Sequence, residues 1–299
     1  MKAVLGIIGG SGIYDLPQLQ DVEALAISSP WGQPSAPLKM GRIGKTEIVF
    51  LPRHGIGHRI PPSEINYRAN IDCMKRAGVT DLISLSACGS FREDLPPGSF
   101  VLIDQFIDRT HKREASFFGT GCVAHVSMAD PVSPLLVNHL AHAAQLADIP
   151  IRNGGTYLAM EGPQFSSRAE SVFYKTSGAD VIGMTAMPEA KLAREAELSY
   201  ALLAMVTDFD CWHEVRPHVD AATVIDVMKD NTRRALQILA NAISHFPSEH
   251  EPCPIGSDRA LEHAIVTMPA ARNPELVSRL DAVAGRILRR ESAPISLSK

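Results

Sequence analysis

The sequence predicts an α/β protein built around a largely parallel or mixed sheet. Three observations predict it. Short apolar runs of strand length alternate with stretches of helical periodicity. Glycine-, proline- or acid-bearing turns close those runs. No linker, internal repeat or low-complexity block interrupts the alternation along 299 residues, which favours one α/β unit.

The elements follow in order. Residues 3–8 read as a buried strand entering Gly9-Gly10-Ser11-Gly12, and residues 46–51 as a second, closed by Pro52-Arg53-His54-Gly55. Ser63 is a candidate N-cap for a helix with Ile65, Ala69 and Cys73 on one face and Gly78 as its stop. Residues 82–87 form a strand ending in Cys88-Gly89-Ser90, and residues 100–107 another. A helix over 135–146 precedes a strand over 156–160, the turn Glu161-Gly162-Pro163, and a helix over 167–177. A short apolar run at 181–184 leads to Pro188, placed where proline fits a first helical turn. Residues 200–206 form a strand ending at Thr207-Asp208-Phe209-Asp210. Asp220 is a candidate cap for a long helix carrying Val224, Ile225, Met228, Leu236, Leu239 and Ile243. A polar loop over 248–258 precedes a last helix from Asn273-Pro274, with Val277, Leu280, Val283 and Ile287 inward.

Composition narrows the function. The formal charge of −4 lacks the basic excess of a nucleic-acid binder. No apolar run reaches membrane-span length and no secretory leader is visible, so a cytoplasmic protein without a membrane partner is expected. Five dispersed cysteines without C-x-x-C fit a reducing compartment, and 11 histidines without H-E-x-x-H make a metal site unexpected.

Ligands of such sheets gather beyond the strand ends, where the polar clusters fall. Gly9-Gly10-Ser11-Gly12 suits either an anion cradle of backbone amides with a serine hydroxyl or a simple tight turn. It does not complete G-x-G-x-x-G, because Asp15 occupies the last glycine position; Lys39 likewise breaks a P-loop ending at Gly44-Lys45-Thr46. Arg53 supplies a phosphate-matching fork and His54 a switchable donor, with a solvated loop pair as the alternative. Ser86-Ala87-Cys88-Gly89-Ser90 offers a second amide cradle, with Cys88 read as an inert buried thiol rather than a nucleophile. Asp208 and Asp210 alternate at a strand end and so face one way. They suit a general acid with a raised pKa, a metal pair or a cap set. Phe165 and Met184 add apolar contacts.

A wider set of ordered motifs adds to these residues. Gly6-Ile7-Ile8-Gly9-Gly10-Ser11-Gly12, Pro52-Arg53-His54-Gly55, Pro62-Ser63-Glu64-Ile65-Asn66-Tyr67-Arg68-Ala69-Asn70 and Ser86-Ala87-Cys88-Gly89-Ser90 come first. Asp104-Gln105-Phe106-Ile107-Asp108-Arg109-Thr110, the run from Glu161 to Glu170, Gly183-Met184-Thr185 and Thr207-Asp208-Phe209-Asp210-Cys211-Trp212 follow. Over about residues 4–245 the chain resembles the S-methyl-5'-thioadenosine phosphorylases, within the trimeric purine nucleoside phosphorylase family. The resemblance implies a single-domain α/β fold with a mixed central sheet partly closed into a barrel and surrounded by helices. It implies a phosphorylase domain over 1–246 and a C-terminal loop and helical extension over 247–299, packed on that domain.

The implied reaction is reversible phosphorolysis of the N-glycosidic bond, with inorganic phosphate as co-substrate, no cofactor and no metal. Ser11, Arg53, His54, Ser86, Ala87 (through its amide) and Thr185 would bind phosphate. Phe165 would line the base pocket, Met184 would pack on the ribose, and Phe209 would be among the substrate-binding residues. Asp208 would protonate or hydrogen-bond purine N7, and Asp210 would read the 6-amino group. Relatives acting on 6-oxopurines carry Asn at the position of Asp208, Glu at that of Ser166 and His at that of Ala221. The residues here favour adenine and leave room for a methylthio group, with Val224 and Ile225 continuing the 5' pocket. His125 resembles a histidine reaching the neighbouring subunit's site, and a homotrimer is implied. The alternatives are a methylthioinosine or other purine nucleoside phosphorylase, a hydrolase, and a nucleotide-binding protein without catalysis.

Overall fold

The computed structural model describes residues 1–213 and 221–292; of residues 221–225 and 291–292 it describes the backbone alone. At the centre, β5 (Asp81–Ser90) lies parallel to both β1 (Leu5–Gly9) and β11 (Ser199–Asp208). β4 (Thr46–Pro52) extends the parallel set beyond β1, and β3 (Leu38–Ile43) and β2 (Gln20–Leu25) add an antiparallel edge. Towards its C-terminal end β5 pairs antiparallel with β10 (Val181–Gly183), which lies parallel to β9 (Thr156–Ala159).

The expected strand over 100–107 divides at Asp104. Its first part, β6 (Phe100–Ile103), pairs with β11; its second, β7 (Gln105–Asp108), pairs with β9. The pairings therefore run in a circuit from β5 through β10, β9 and β7, across Asp104 into β6, and through β11 back to β5. A two-residue strand, β8 (Arg152–Asn153), flanks β6.

Both faces of the sheet are covered, which is why its central strands read as continuous apolar runs. Leu5 and Ile7 of β1 and Leu203 and Met205 of β11 face one side, packed under α2 (Pro134–Leu146) and α5 (Ala221–Ser244) through Leu140, Ile238 and Leu239. Ile8, Leu202 and Val206 face the other side. That side is covered by α1 (Tyr67–Arg76), α4 (Ala186–Glu195) and the C-terminal residues Leu261, Leu280, Val283 and Ile287.

Two boundaries differ from the sequence reading. α1 is capped by Asn66, whose side chain accepts from Ala69 N, while Ser63 lies in a preceding 3₁₀ turn and turns its hydroxyl to Glu161. α3 (Arg168–Thr176) does begin at Ser167, which forms a capping box with Glu170. The expected last helix is two, α6 (Pro274–Arg279) and α7 (Gly285–Ser292), because Leu280, Val283 and Ala284 enter the core through the turn between them. The expected cap Asp220 lies outside the described residues.

Candidate active site

A cavity of about 700 Å³ opens where β1, β4, β5, β9, β10 and β11 end. At one end β4 delivers Arg53, which is fully buried. Its Nε donates to Glu189 at 2.7 Å, Nη1 to Leu85 O at 2.9 Å, and Nη2 to Ser84 at 2.5 Å and Glu189 at 3.1 Å. Burial works against the cation, but the Glu189 carboxylate outweighs it and holds Arg53 charged. Ser84 and Tyr200 also donate to Glu189. Nη1 passes under the glycine turn. A Cβ on Gly10 would stand 3.1 Å from it and 2.4 Å from Leu85 O, so only glycine lets the turn lie this close.

Ser11, Ala87, Ser86 and Thr185 line the same end. Ser86 Oγ is 3.0 Å from Tyr157 Oη and 3.4 Å from Thr185 Oγ1. Thr185 occupies the N-cap position of α4 without capping it, which leaves its hydroxyl for the cavity. His54 is buried, with Nδ1 2.9 Å from Ile60 O and its ring stacked on His58 at 4.1 Å. Burial first, then the Arg53 cation, lower its pKa to about 4.

Asp208 and Asp210 both line the cavity wall. Simple strand alternation does not bring them together. β11 slips register against β5 between Val206 and Asp208, and Asp210 follows in a 3₁₀ turn with φ of 49°. Asp208 Oδ1 accepts from Asp210 N at 2.8 Å. Burial raises the pKa of both carboxyls, and for Asp210 the nearby Asp208 adds to the rise. Thr207 Oγ1 lies 3.1 Å from Cys88 O and 2.7 Å from Asp208 Oδ2. Its single proton can serve the carbonyl, in which case it accepts from a protonated Asp208. Gly89 makes room for that carboxyl: a Cβ there would meet Asp208 Oδ1 at 2.8 Å. Cys88 is also on the wall, but burial and then Asp208 push its thiol well up, as expected of an unreactive cysteine.

Another stretch of the wall is apolar, with Met160, Ile182, Met184 and Phe165, while Met228 stands beside Gly12 of the glycine turn. The support of that stretch was invisible in the sequence. The nearly buried Arg113 donates from Nη1 to Met184 O and Met187 O, both at 2.6 Å, and from Nη2 to Glu161 O at 2.7 Å. Glu161 in turn accepts from Ser63, the amides of His111 and Lys112, and Arg113. This network joins four segments behind Met184 and the Phe165 loop. The signals for Glu189 and Arg113 were a glutamate one turn into α4 and an arginine in a polar loop, neither distinguishable by spacing from surface charge.

Three expected residues stand off the wall. Phe209 is buried against Trp212 and His213. Ser166 is buried, with Oγ 3.6 Å from Met160 Sδ and its carbonyl accepting from Cys211. His125 is exposed, on a segment bridged to 264–266, with its amide donating to Ala264 O. The side chains of Ala221, Val224 and Ile225 lie outside the described residues.

Comparison with known proteins matches this arrangement to one family. The phosphorylase superfamily model covers residues 4–244. The S-methyl-5'-thioadenosine phosphorylase of Bradyrhizobium diazoefficiens is 67% identical over 96% of this chain and 99% of that protein. That of Cereibacter sphaeroides is 53% identical over 97% and 100%. A crystal structure of a methylthioadenosine phosphorylase from an Antarctic soil metagenomic library aligns with a TM-score of 0.87 at 45% identity, covering 94% of this chain and 99% of that one. The Schistosoma mansoni methylthioadenosine phosphorylase in complex with adenine gives 0.79 at 39% identity, covering 83% and 93%. With nearly its whole length aligned to such relatives and its strand ends meeting in one cavity, the chain belongs to the S-methyl-5'-thioadenosine phosphorylases of the phosphorylase superfamily.

Proposed function

We propose that this chain catalyses the reversible phosphorolysis of S-methyl-5'-thioadenosine to adenine and 5-methylthioribose 1-phosphate. One observation carries the proposal: a single cavity joins a cationic, hydroxyl-lined end to buried carboxyls and an apolar stretch of wall. An unprotonated phosphate oxygen, held by Arg53, Ser11, Ser86, Thr185 and the Ala87 amide, forms the bond to C1'. The C1'–N9 bond breaks, its electron pair passes into the purine, and N7 takes the proton of Asp208. Burial raises the pKa of Asp208, which favours its acid form relative to a solvated carboxyl. Phosphate also balances the positive charge that develops on the sugar as the bond breaks.

Asp210 reads the 6-amino group, Met184 and Phe165 hold the ribose and base, and Asp208 favours adenine over a 6-oxopurine. Phe209 and Ser166 then act from behind the wall, and the roles of Ala221, Val224 and Ile225 at the 5' end rest on family resemblance. We also propose a homotrimer in which His125 closes a neighbour's 5' pocket. The exposed Val123, Val266 and Met268 around that segment support it, as an apolar surface suited to a second copy. A cytoplasmic setting fits the five dispersed cysteines, which include no C-x-x-C pair.

The test is phosphate dependence. Adenine release should require phosphate and yield the sugar 1-phosphate. Equal release in phosphate-free buffer, with free methylthioribose as product, contradicts the proposal.

A further inference from the structure

His54 gives the phosphate end a polarity that its neighbours do not impose. Ile60 O, 2.9 Å from His54 Nδ1, can only accept a hydrogen bond, so the ring carries its proton on Nδ1. The ring belongs to the cavity wall, and among the described residues Nε2 has no hydrogen-bond partner. A second proton is opposed from several sides. Burial and Arg53 at the end of β4 oppose it, as do the stacked His58 and Arg113 from the 109–116 loop; only the Ile60 carbonyl favours it. Tyr14, on the glycine turn, meets His58 Nδ1 at 2.9 Å, and Arg59 also lines this end. A neutral ring protonated at Nδ1 presents a lone pair at Nε2. Arg53 offers only N–H groups, and the hydroxyls of Ser11, Ser86 and Thr185 adapt to either role.

We propose that His54 Nε2 is a hydrogen-bond acceptor that selects a protonated oxyanion, taking the P–OH of hydrogen phosphate and disfavouring sulfate. The proposal rests on the phosphorolysis reading of the cavity. Hydrogen phosphate and sulfate are both tetrahedral dianions, so cationic and hydroxyl donors alone discriminate weakly. Hydrogen phosphate still has one proton to give. Sulfate has none, and sets an oxygen lone pair against the nitrogen lone pair unless His54 first gains a proton. With P–OH fixed on His54, the unprotonated oxygens are left for Arg53 and for C1'. No proton changes hands on binding, and the attacking oxygen needs no deprotonation.

Competition between the two anions tests this. Adenine release would be measured against phosphate with sulfate as inhibitor, at constant ionic strength, from about pH 6 to pH 9. Protection from thermal unfolding by each anion alone would supply affinities independent of turnover. Near pH 8 sulfate should bind about 10- to 100-fold more weakly than phosphate, the range opened by one unpaired buried acceptor. The gap should narrow towards pH 6 as sulfate draws a proton onto His54. His54→Gln can turn either amide atom towards the anion, so it should bring the two affinities within about threefold and flatten the pH dependence. The wild-type comparison stands even where this variant fails to fold. Sulfate within about threefold of phosphate near pH 8, or a preference that survives in folded His54→Gln, overturns the proposal. Adenine release with no need for phosphate overturns instead the reading on which it rests, and this proposal with it.

Discussion

At the phosphate end Arg53, Ser86 and Thr185 are 0%, 3% and 5% exposed, whereas Phe165 at the nucleoside end is 49% exposed and His125 lies off the wall altogether. The difference follows from what each end must hold. A buried guanidinium is tolerated only when fixed partners offset its desolvation, so the anion end comes complete with Glu189, Ser84 and Leu85 O. A flat base and a methylthio group need apolar walls that close after they enter, and those walls stand half open in one chain. Electrostatic preorganisation thus resides within the chain, and under the proposed homotrimer closure of the nucleoside end would fall to substrate and neighbour.

Substitutions can break this contrast. The largest effect is expected from Asp208→Asn, which removes the proposed proton donor. kcat on methylthioadenosine should fall by about 10²–10⁴-fold, with preference moving towards 6-oxopurines. Unchanged turnover and base preference on a nucleoside panel would remove Asp208 from the chemistry.

Next is Glu189→Gln. It strips the buried Arg53 of its counter-charge, and breaking a buried pair this way costs about 3–5 kcal/mol. Urea unfolding should register that loss, and the KM for phosphate should rise more than that for the nucleoside. A loss below about 1 kcal/mol would place the pair among weakly coupled surface bridges.

Glu161 tests the support of the nucleoside end through pH. Burial alone would raise its pKa, but Ser63, the His111 and Lys112 amides and Arg113 outweigh burial and hold the carboxyl down to about 2, against 4.5 unperturbed. Because the folded value lies below the unfolded one, its stabilisation is present above about pH 4.5 and lost as pH falls through about 2. Glu161→Gln should cost about 2 kcal/mol at neutral pH, allowing for partial screening, and less at pH 3. Equal costs at both pH values in urea titrations would show that ionisation does not matter there.

The smallest effect concerns the subunit boundary. His125→Ala should raise the KM for methylthioadenosine about tenfold, roughly 1.4 kcal/mol, while leaving that for phosphate nearly unchanged. Mixing His125→Ala chains with Asp208→Ala chains should restore wild-type-like KM in sites that combine both intact residues. Absence of that recovery after demonstrated subunit exchange places His125 outside the neighbour's site.

Much of this molecule was legible before its structure. The cavity wall carries Ser11, Arg53, His54, Ser86, Ala87, Phe165, Met184, Thr185, Asp208 and Asp210, all singled out from strand-end motifs and family resemblance. What escaped has physical causes. β2 is an edge strand exposed along nearly its whole length, and its mixed residues, with Val22, Ala24 and Leu25 among polar neighbours, form no sustained apolar run. Asp104 splits β6 from β7 inside one apolar run, because the two halves find different partners, β11 and β9.

The sequence by itself determined what depends on neighbours along the chain. Strand runs, the Ser167 capping box, the Asn273-Pro274 helix start and the residue types at each strand end all act through backbone periodicity and short-range hydrogen bonds. Only the tertiary structure decided which of those ends meet. The partner of Arg53 lies 136 residues away, the proton on His54 is placed by the Ile60 carbonyl, and Asp210 turns beside Asp208 through a register slip and a positive φ. Each depends on strand order and on burial, which set the distance between charges and the cost of leaving one unpaired. Residue spacing along the chain encodes neither.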